Sequence, residues 1–432
     1  MSEWKTLTIL EFADVITGST PSTSVQEYWD GDIEWVTPVD LSKLNSRFLK
    51  STIRKISKKG LEKSSTGLIP AYNVVMSSRA PIGYFAIPTK DFTTNQGCKS
   101  FKLFPLQDSE YHYYNFLFNI DYFKRFGSGS TFAEISKTDI EKLSFNIPTS
   151  LSEQRKIARI LSTIDAVIEK TEAAIAKYKA IKAGMMRDLF TRGIDLATGK
   201  LRPNYQEAPD LYKPSDLEWV PKEWEVDILN NVVINHHSGI YKKSDLYGEG
   251  CNIVGVSDLY YHDSINGQIF RQVPLTQTEK DNFTLNEGDL IYGESSLVLD
   301  GIAKALWVTQ KGAGTVFAWH TRRMKIDTQR ISSQYLYFLL SSPKVRSYIM
   351  SVATQTALTG ITTKDYFKTP VLIPKRKEQE IIEHRLGVLD LMIKEEITNH
   401  TKQKSIKQGL MSDLLTGKKR VTYEEEKAEV ML

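Results

Sequence analysis

Apolar residues between Ile157 and Met185 recur in steps of three and four. Ile157, Ile160, Ile164, Val167, Thr171, Ala174, Tyr178, Ile181 and Met185 make one stripe, with the spacing of a coiled-coil seam on a long helix. Pro148 stands before it, Ser150 and Glu153 have capping-box spacing, and Gly193 is a suitable stop. These signals predict a helix over 149–192. A second long helix is predicted over 375–417. Its seam runs Ile382, Leu389, Met392, then through the polar Glu396, Asn399 and Gln403, before Ile406 and Leu410. A helix of about 40 residues spans roughly 60 Å. It cannot bury its stripe on one compact domain, so each long helix needs the other.

The remaining sequence reads differently. YNVVMSS (72–78), IGYFAIP (82–88), CKSFKLFP (98–105), GDLIYGE (288–294), GIAKALWV (301–308) and TRRMKID (321–327) are short, β-branched or aromatic, and bounded by turn residues. They predict strands. EYHYYNFLFNIDYFKRF (110–126) and SSQYLYFLLSSPKVRSYIM (332–350) fit amphipathic helices, with Ser342-Pro343 as an N-cap and first helical position. The aromatic residues of 110–126 are expected in a core.

A self-comparison organises the chain. A shift of 225 lays EQRKIARILSTIDAVIEK (153–170) on EQEIIEHRLGVLDLMIKE (378–395), and IKAGMMRDLFT (181–191) on IKQGLMSDLLT (406–416). Gly184 and Gly409 recur inside the helices, where close helix approach or a bend would account for them. More faintly, TPVDLS (37–42) answers GVSDLY (255–260). STFAEISKTDIEKLSFNIP (130–148) answers TALTGITTKDYFKTPVLIP (356–374), and DLEWVPKEWE (216–225) leads into the second half with Trp224 in the part of Trp4. The expected order is a first head (1–148), a helix (149–192), a linker (193–215), a second head (216–374), a helix (375–417) and a tail (418–432). Antiparallel helices spare the chain a long return. The expected fold class is α+β: two globular heads of mixed strands and helices, separated by an antiparallel coiled coil, with a pseudo-two-fold internal repeat.

Composition narrows the chemistry. With 432 residues, 41% hydrophobic and 25% charged, the chain reads as an ordinary soluble multidomain protein. No apolar run is long enough for a membrane span, and MSEWKTLTIL lacks the pattern of a secretory signal, so a cytoplasmic protein is expected. Cys98 and Cys251 are the only cysteines, too few for a disulfide framework or zinc cluster. The net charge of +4 permits nucleic-acid binding without requiring it.

No nucleotide-binding glycine motif, [DNS]-P-P-[YFW] catalytic loop or P-D…[DE]-x-K nuclease cluster is present. GSGSTF (127–132) is glycine-rich but leads into no phosphate-binding helix. His236-His237 lacks companions at ligand spacing and reads as a pair of loop histidines, so no metal site is expected. The two cysteines read as inert thiols. Nothing in the sequence supplies a catalytic residue.

The paired EQ…I…L…D…I helices, ending in GMMRDLFT and GLMSDLLT, resemble the repeated regions of specificity subunits of type I restriction-modification systems. GSTPS (18–22), WVTPVDL (35–41), SRAPIG (78–83) and TNQG (94–97) are similar to pieces of that family's target-recognition domains. In the second head GESSLVLDG (293–301) stands in place of SSRAPIG and no NQG follows. The resemblance implies a non-enzymatic subunit that binds double-stranded DNA. Each head would read half of a split target, and the coiled coil would set the spacer. Two modification subunits would dock on the helices and methylate adenine N6 with S-adenosylmethionine. Restriction subunits would bring ATP and Mg²⁺. No cofactor is expected on this chain.

DNA reading combines phosphate contacts that position with base contacts that specify. Arg47, Lys50, Arg54, Lys55, Lys58 and Lys59 form the densest basic run of the first head, a candidate phosphate track. Arg79 in SRAPIG is the candidate base contact. Candidates in the second head are Tyr241, Lys242, Lys243, Glu294, Ser295, Arg322 and Arg323. Lys170, Lys177, Lys182, Arg187, Lys394, Lys404 and Lys407 are candidates for the helix faces that would meet partner subunits. Two other classes compete with this reading: a protein-binding structural adaptor, and a stand-alone DNA-modifying enzyme with an unrecognised site. Turnover by the lone chain would mark the second, and loss of salt-dependent, sequence-selective duplex binding the first.

Overall fold

The computed structural model describes residues 3–127, 134–355 and 358–424. The parts of GSGSTF and of the two matching head segments on 128–133 and 356–357, and the tail from 425, lie outside the described residues. The chain divides into two units, Met1–Ala173 with Thr398–Leu432, and Ala174–Ile397.

In the first unit a five-stranded sheet has the order Ala13–Thr17, Cys98–Leu103, Val74–Ser77, Phe85–Pro88, Phe48–Leu49. Its first three pairings are antiparallel and its last parallel. A second sheet sets Trp29–Val36 antiparallel to Lys55–Ile56 and parallel to Phe92–Thr94. Strand Trp4–Thr8 pairs antiparallel with Ser144–Pro148, which closes the head.

The second unit repeats this plan. Its five strands are Val233–Ser238, Thr321–Ile326, Leu290–Gly293, Ala305–Val308 and Ser264–Ile265, again with three antiparallel pairings and one parallel. Cys251–Val254 pairs antiparallel with Arg271–Val273 and parallel with Val316–Phe317. Glu225–Ile228 closes on Pro370–Ile373. Both TPVDLS and GVSDLY begin a short helix. In each, the aspartate three places after the cap returns a carboxylate oxygen to the cap N–H: Asp40 to Thr37 at 2.9 Å and Asp258 to Gly255 at 2.8 Å.

The expected helix over 110–126 is two, Ser109–Phe118 and Ile120–Arg125, broken at Asn119. Its Tyr111, Tyr114, Phe116 and Phe123 are fully buried. The helix expected over 332–350 also breaks, into Ser333–Leu340 and Pro343–Ser351, with Ser342 at the N-cap and Pro343 at the first helical position. His236 and His237 lie on a strand, not a loop. The segment 193–215, expected as a linker, is folded: it contains the strand Tyr212–Ser215, paired with Glu218–Pro221, and a buried Arg202.

The long helices run Leu151–Leu189 and Arg376–Leu415. In the first unit Asp165 meets Lys407 at 2.7 Å and Glu172 meets His400 at 2.7 Å. One index rises as the other falls, so the helices are antiparallel there. In the second unit Lys182 binds Asp390, and Glu378 accepts the Ile194 N–H at 2.7 Å, which gives the same direction.

The seam differs from the expected one by about one residue along each helix. Val167 and Ile181 are 40% exposed, and Ile406 is 44% exposed. Leu161, Ile168, Met186, Leu386, Ile393 and Met411 are buried instead. Ile157, Ile382 and Leu389 are buried as expected, while Ile160, Ile164, Tyr178, Met392 and Leu410 are half-buried. One residue is about 100° of helix rotation. A stripe of apolar residues wider than the seam leaves the choice to whatever the helix packs on, which includes the heads as well as the other helix. The polar middle of the second helix falls on the half-buried Glu396, His400 and Gln403, while Asn399 faces out. A Cβ on Gly184 or Gly409 would meet nothing within 4 Å, so close approach does not account for these glycines.

The repeated Glu-Gln explains how each head is tied to its helix. Glu153 is fully buried. It accepts the Trp4 indole N–H at 3.2 Å and the Arg420 guanidinium at 2.8 and 2.9 Å. Glu378 accepts the Trp224 indole at 3.2 Å and Arg202 at 2.6 and 3.1 Å. The Gln154 amide donates to the Pro148 carbonyl at 2.9 Å and accepts the Asp108 N–H at 2.8 Å. Gln379 donates to Pro374 at 2.9 Å and accepts the Ser332 N–H at 2.7 Å. Asp108 and Ser332 are the N-caps of the equivalent head helices. Removing one member of a buried, hydrogen-bonded ion pair costs about 3–5 kcal/mol. Arg202→Met should therefore lower the unfolding free energy of the second unit, read from urea titration, by an amount of that order. Glu378→Gln added to it should cost far less than the two single losses combined, as read by a double-mutant cycle.

Candidate nucleic-acid interface

In the first head, four strand ends bring three loops to one end of the five-stranded sheet. The chain leaves Ala13–Thr17 into GSTPS and leaves Val74–Ser77 into SRAPIG. It arrives at Cys98–Leu103 through TNQG, and SRAPIG leads it into Phe85–Pro88. Backbone contacts hold the loops together. The Ser78 N–H donates to the Gly97 carbonyl at 2.8 Å, and the Asn95 N–H to Val36 at 3.1 Å. The Ile135 N–H donates to Ser78 at 3.0 Å. Gly18 lies against Thr94, where a Cβ would stand 1.9 Å from the carbonyl oxygen, so only glycine lets these two loops approach.

The second head makes the same bonds with other residues. Glu294 donates to His320 at 3.2 Å, Ala318 to Val254 at 2.9 Å, and Ile361 to Glu294 at 3.1 Å. Gly239 takes the place of Gly18, with a Cβ there 2.3 Å from the Ala318 carbonyl oxygen. The matching bonds align Ser78 with Glu294, Gln96 with Trp319 and Gly97 with His320.

Each head places one cation under these loops. Thr17 pairs with Lys99 and Ser238 with Arg322, so the two cations occupy the same position in the sheet. Lys99 is 3% exposed and donates to Ser78 Oγ at 3.1 Å and to the Gln96 carbonyl at 3.2 Å, with Glu134 at 3.8 Å. Burial holds its pKa below the usual lysine value, against the pull of Glu134. Arg322 Nε lies 2.5 Å from Glu294, which also accepts the Thr363 hydroxyl at 3.0 Å. Burial, then the Arg322 charge, lowers the pKa of His236. A cation kept in such a place against its desolvation marks a candidate functional group.

The basic run is not one track. Arg47 binds Glu110 at 2.8 Å, Lys55 the buried Glu34 at 3.0 Å, and Lys59 Glu27 at 2.5 Å. Arg54 lies over the Trp29 ring at 3.6 Å. Lys50, Arg54 and Lys58 are exposed. Arg79 is half exposed beside Glu134, 3.0 Å away, at the gathered loops. In the second head Tyr241 is 63% exposed against the Trp319 ring, and Lys243 and the half-buried Ser295 border the loops. Lys242 is drawn onto Glu279 at 2.8 Å, and Arg323, on the opposite face from Arg322, donates to the Thr284 carbonyl. Lys182 and Lys407 are spent on Asp390 and Asp165, and Lys404 lies 3.5 Å from Glu172. Lys170, Lys177, Arg187 and Lys394 are exposed. Sequence reasoning missed Lys99 and Trp319. Lys99 follows TNQG inside a run otherwise fit for burial, which was its signal. Trp319 had none until the heads were aligned bond by bond.

Cys98 is buried in the first-head sheet, which pushes its thiol far above the ordinary range, and Cys251 is half-buried on a strand. No group of three or more His, Cys, Asp or Glu side chains among the described residues is arranged to hold a metal. No described helix is long and apolar enough to cross a membrane.

A duplicated α+β head, with loops gathered over one positioned cation, defines a repeat-built protein with two equivalent loop-bearing sheet ends. Residues 1–178 match the type I restriction modification DNA specificity domain. The MjaIX specificity subunit of Methanocaldococcus jannaschii is 31% identical over 255 residues, 58% of this chain and 56% of that protein. The MjaVIII specificity subunit of the same organism is 23% identical over 97% of this chain and 93% of its own length. The crystal structure of a type I restriction-modification S subunit from M. genitalium shares the fold, with a TM-score of 0.58 and 14% identity over 96% of each chain. The chain is thus similar, along most of its length, to specificity subunits of type I restriction-modification systems, and it spans a little over half the length of the first of these relatives.

Glu34 anchors the loop beside this surface. It accepts the Thr52 N–H and hydroxyl, each at 2.8 Å, and binds Lys55. Burial alone would raise its pKa, but the Thr52 and Lys55 contacts outweigh it, and the net shift is downward from 4.5. A lowered carboxylate pKa contributes stability that is present above the unfolded value and lost as pH falls through the folded one. Glu34→Gln should therefore lower the unfolding midpoint near neutrality and flatten its decline below about pH 4.5, as urea titrations across pH 3–7 would read.

Proposed function

We propose that this chain is the DNA-reading subunit of a type I restriction-modification complex. Residues 1–148 and 216–374 are two target-recognition heads, each reading half of a split duplex target. The helices over 149–192 and 375–417 set the unread spacer and carry two modification subunits that methylate adenine N6. Restriction subunits join the same assembly, in the cytoplasm. The chain contributes sequence choice and no bond chemistry, so S-adenosylmethionine, ATP and Mg²⁺ belong to the partners.

The observation that carries this reading is the pair of equivalent sheet ends, built by the same backbone bonds around Lys99 and Arg322. A repeated frame with exchanged side chains suits two surfaces that do one task on two different words. Lys99, Arg79 and Arg322 are the leading DNA contacts, with Glu294, Ser295, Tyr241 and Lys243 beside them. Lys50, Arg54 and Lys58 supply phosphate contacts. Arg47, Lys55, Lys59, Lys242 and Arg323, already engaged within the chain, shape the surface.

Expression with its modification subunits in a methylation-free host, followed by genome-wide mapping of N6-methyladenine, tests the proposal. A split motif with one methylated adenine in each half, on opposite strands, is the expected result. A continuous motif, or none despite a stable complex, would overturn it. Lys99→Met should degrade one half-word and Arg322→Gln the other. Because Lys99 is buried at a desolvation cost, Lys99→Met should hold or raise the thermal unfolding midpoint while weakening DNA reading.

A further inference from the structure

The alignment of the two heads by their backbone bonds exposes one exchange of chemistry. In the first head the Thr20 hydroxyl donates to Gln96 Oε1 at 2.7 Å, and both side chains are exposed. Thr20 lies two residues after Gly18 and Gln96 three before Lys99. In the second head Tyr241 lies two after Gly239, and Trp319 three before Arg322. Their rings meet at 5.1 Å, edge to face, and remain 63% and 47% exposed. A pair of loops that meets through a hydrogen bond in one head meets through two aromatic rings in the other.

Large rings left half in water at a loop tip are not core residues, and the neighbouring His320 ring adds to the same exposed group at 4.8 Å. Thr20 pins the carbonyl end of the Gln96 amide, so the side chain keeps a fixed edge toward a ligand. An amide edge matches the paired donor and acceptor of adenine in the major groove, whereas an apolar ring surface matches the thymine methyl.

We infer that Thr20–Gln96 and Tyr241–Trp319 are the equivalent specificity-determining pairs of the two heads, the first reading an adenine edge by hydrogen bonds and the second a thymine methyl by apolar contact. This rests on the DNA-reading function proposed above. It goes further in naming the two residues per head that set one letter of each half-word and the chemistry of each.

The test uses the full chain with its modification subunits and the same methylation map. Tyr241→Thr with Trp319→Gln gives the second head the first head's pair. The expected result is an altered letter at one A·T position, with ~10-fold or greater loss of preference there, confined to the half-word that Arg322→Gln also degrades. Thr20→Tyr with Gln96→Trp should alter only the other half-word. The untouched half-word reports that the chain is folded. If the double substitution unfolds the protein, Trp319→Ala, at a side chain already half in water, carries the same test. A wild-type split motif left unchanged in both halves by these substitutions would overturn the inference while leaving the DNA-reading function standing. Failure of the wild-type complex to give any split motif would overturn both.

Discussion

A buried carboxylate cannot stand alone. Glu153 and Glu378 begin the two long helices, and each is closed in by an indole and a guanidinium. The indole comes from the start of a head: Trp4 begins the first head's opening strand, and Trp224 immediately precedes the second's. The guanidinium comes from the segment that follows the other long helix: Arg202 after the first, Arg420 after the second. Each carboxylate therefore ties three separate stretches of chain to one point. The adjacent Gln154 and Gln379 satisfy two more backbone groups of the head, the carbonyl of its last proline and the N–H of a helix N-cap. The duplicated Glu-Gln is thus a structural requirement of the join between head and helix. Unpaired, a buried carboxylate costs several kcal/mol, which makes the arrangement close to all-or-none.

That join leaves the far loops of each head free to differ. The backbone bonds that gather them are the same in both halves, down to a glycine whose missing Cβ admits a neighbouring carbonyl. What sits on the frame is not the same. A buried lysine bonded to two neutral oxygens, with the Glu134 carboxylate 3.8 Å away, becomes in the other head an arginine in direct contact with Glu294, and a hydroxyl–amide contact becomes two rings. Frame and surface are separable because the frame uses main-chain groups, which any residue supplies, while the exposed surface is set by side chains.

The same separation decides what the sequence could reveal. The helices were legible because long apolar periodicity and a repeated cap survive duplication. Strands were legible from β-branched runs between turns. The seam was misplaced by one position because periodicity names a stripe and not which edge of it is covered: Val167 and Ile181 face water, while Leu161, Ile168 and Met186 are buried. Arg202 looked like linker because its partner, Glu378, is far away in sequence. The basic run looked like a track because charge density does not say which lysines already have carboxylates, as Lys55 has Glu34 and Lys59 has Glu27. Lys99 and Trp319 gain meaning only from the residues aligned with them in the other head, and that alignment is three-dimensional.

Cost then distinguishes the two kinds of buried charge. At the joins, each carboxylate is matched by an indole N–H and a guanidinium, so its buried charge is compensated. Under the loops, Lys99 has an N-terminal neighbour's carbonyl, a hydroxyl and a carboxylate oxygen 3.8 Å away, and its ammonium is disfavoured by burial. A methionine would pack there without that penalty. Stability therefore does not account for the lysine, whereas an anionic ligand brought to the loops would. The matching sheet position in the second head again holds a cation, and there too the frame alone does not require one.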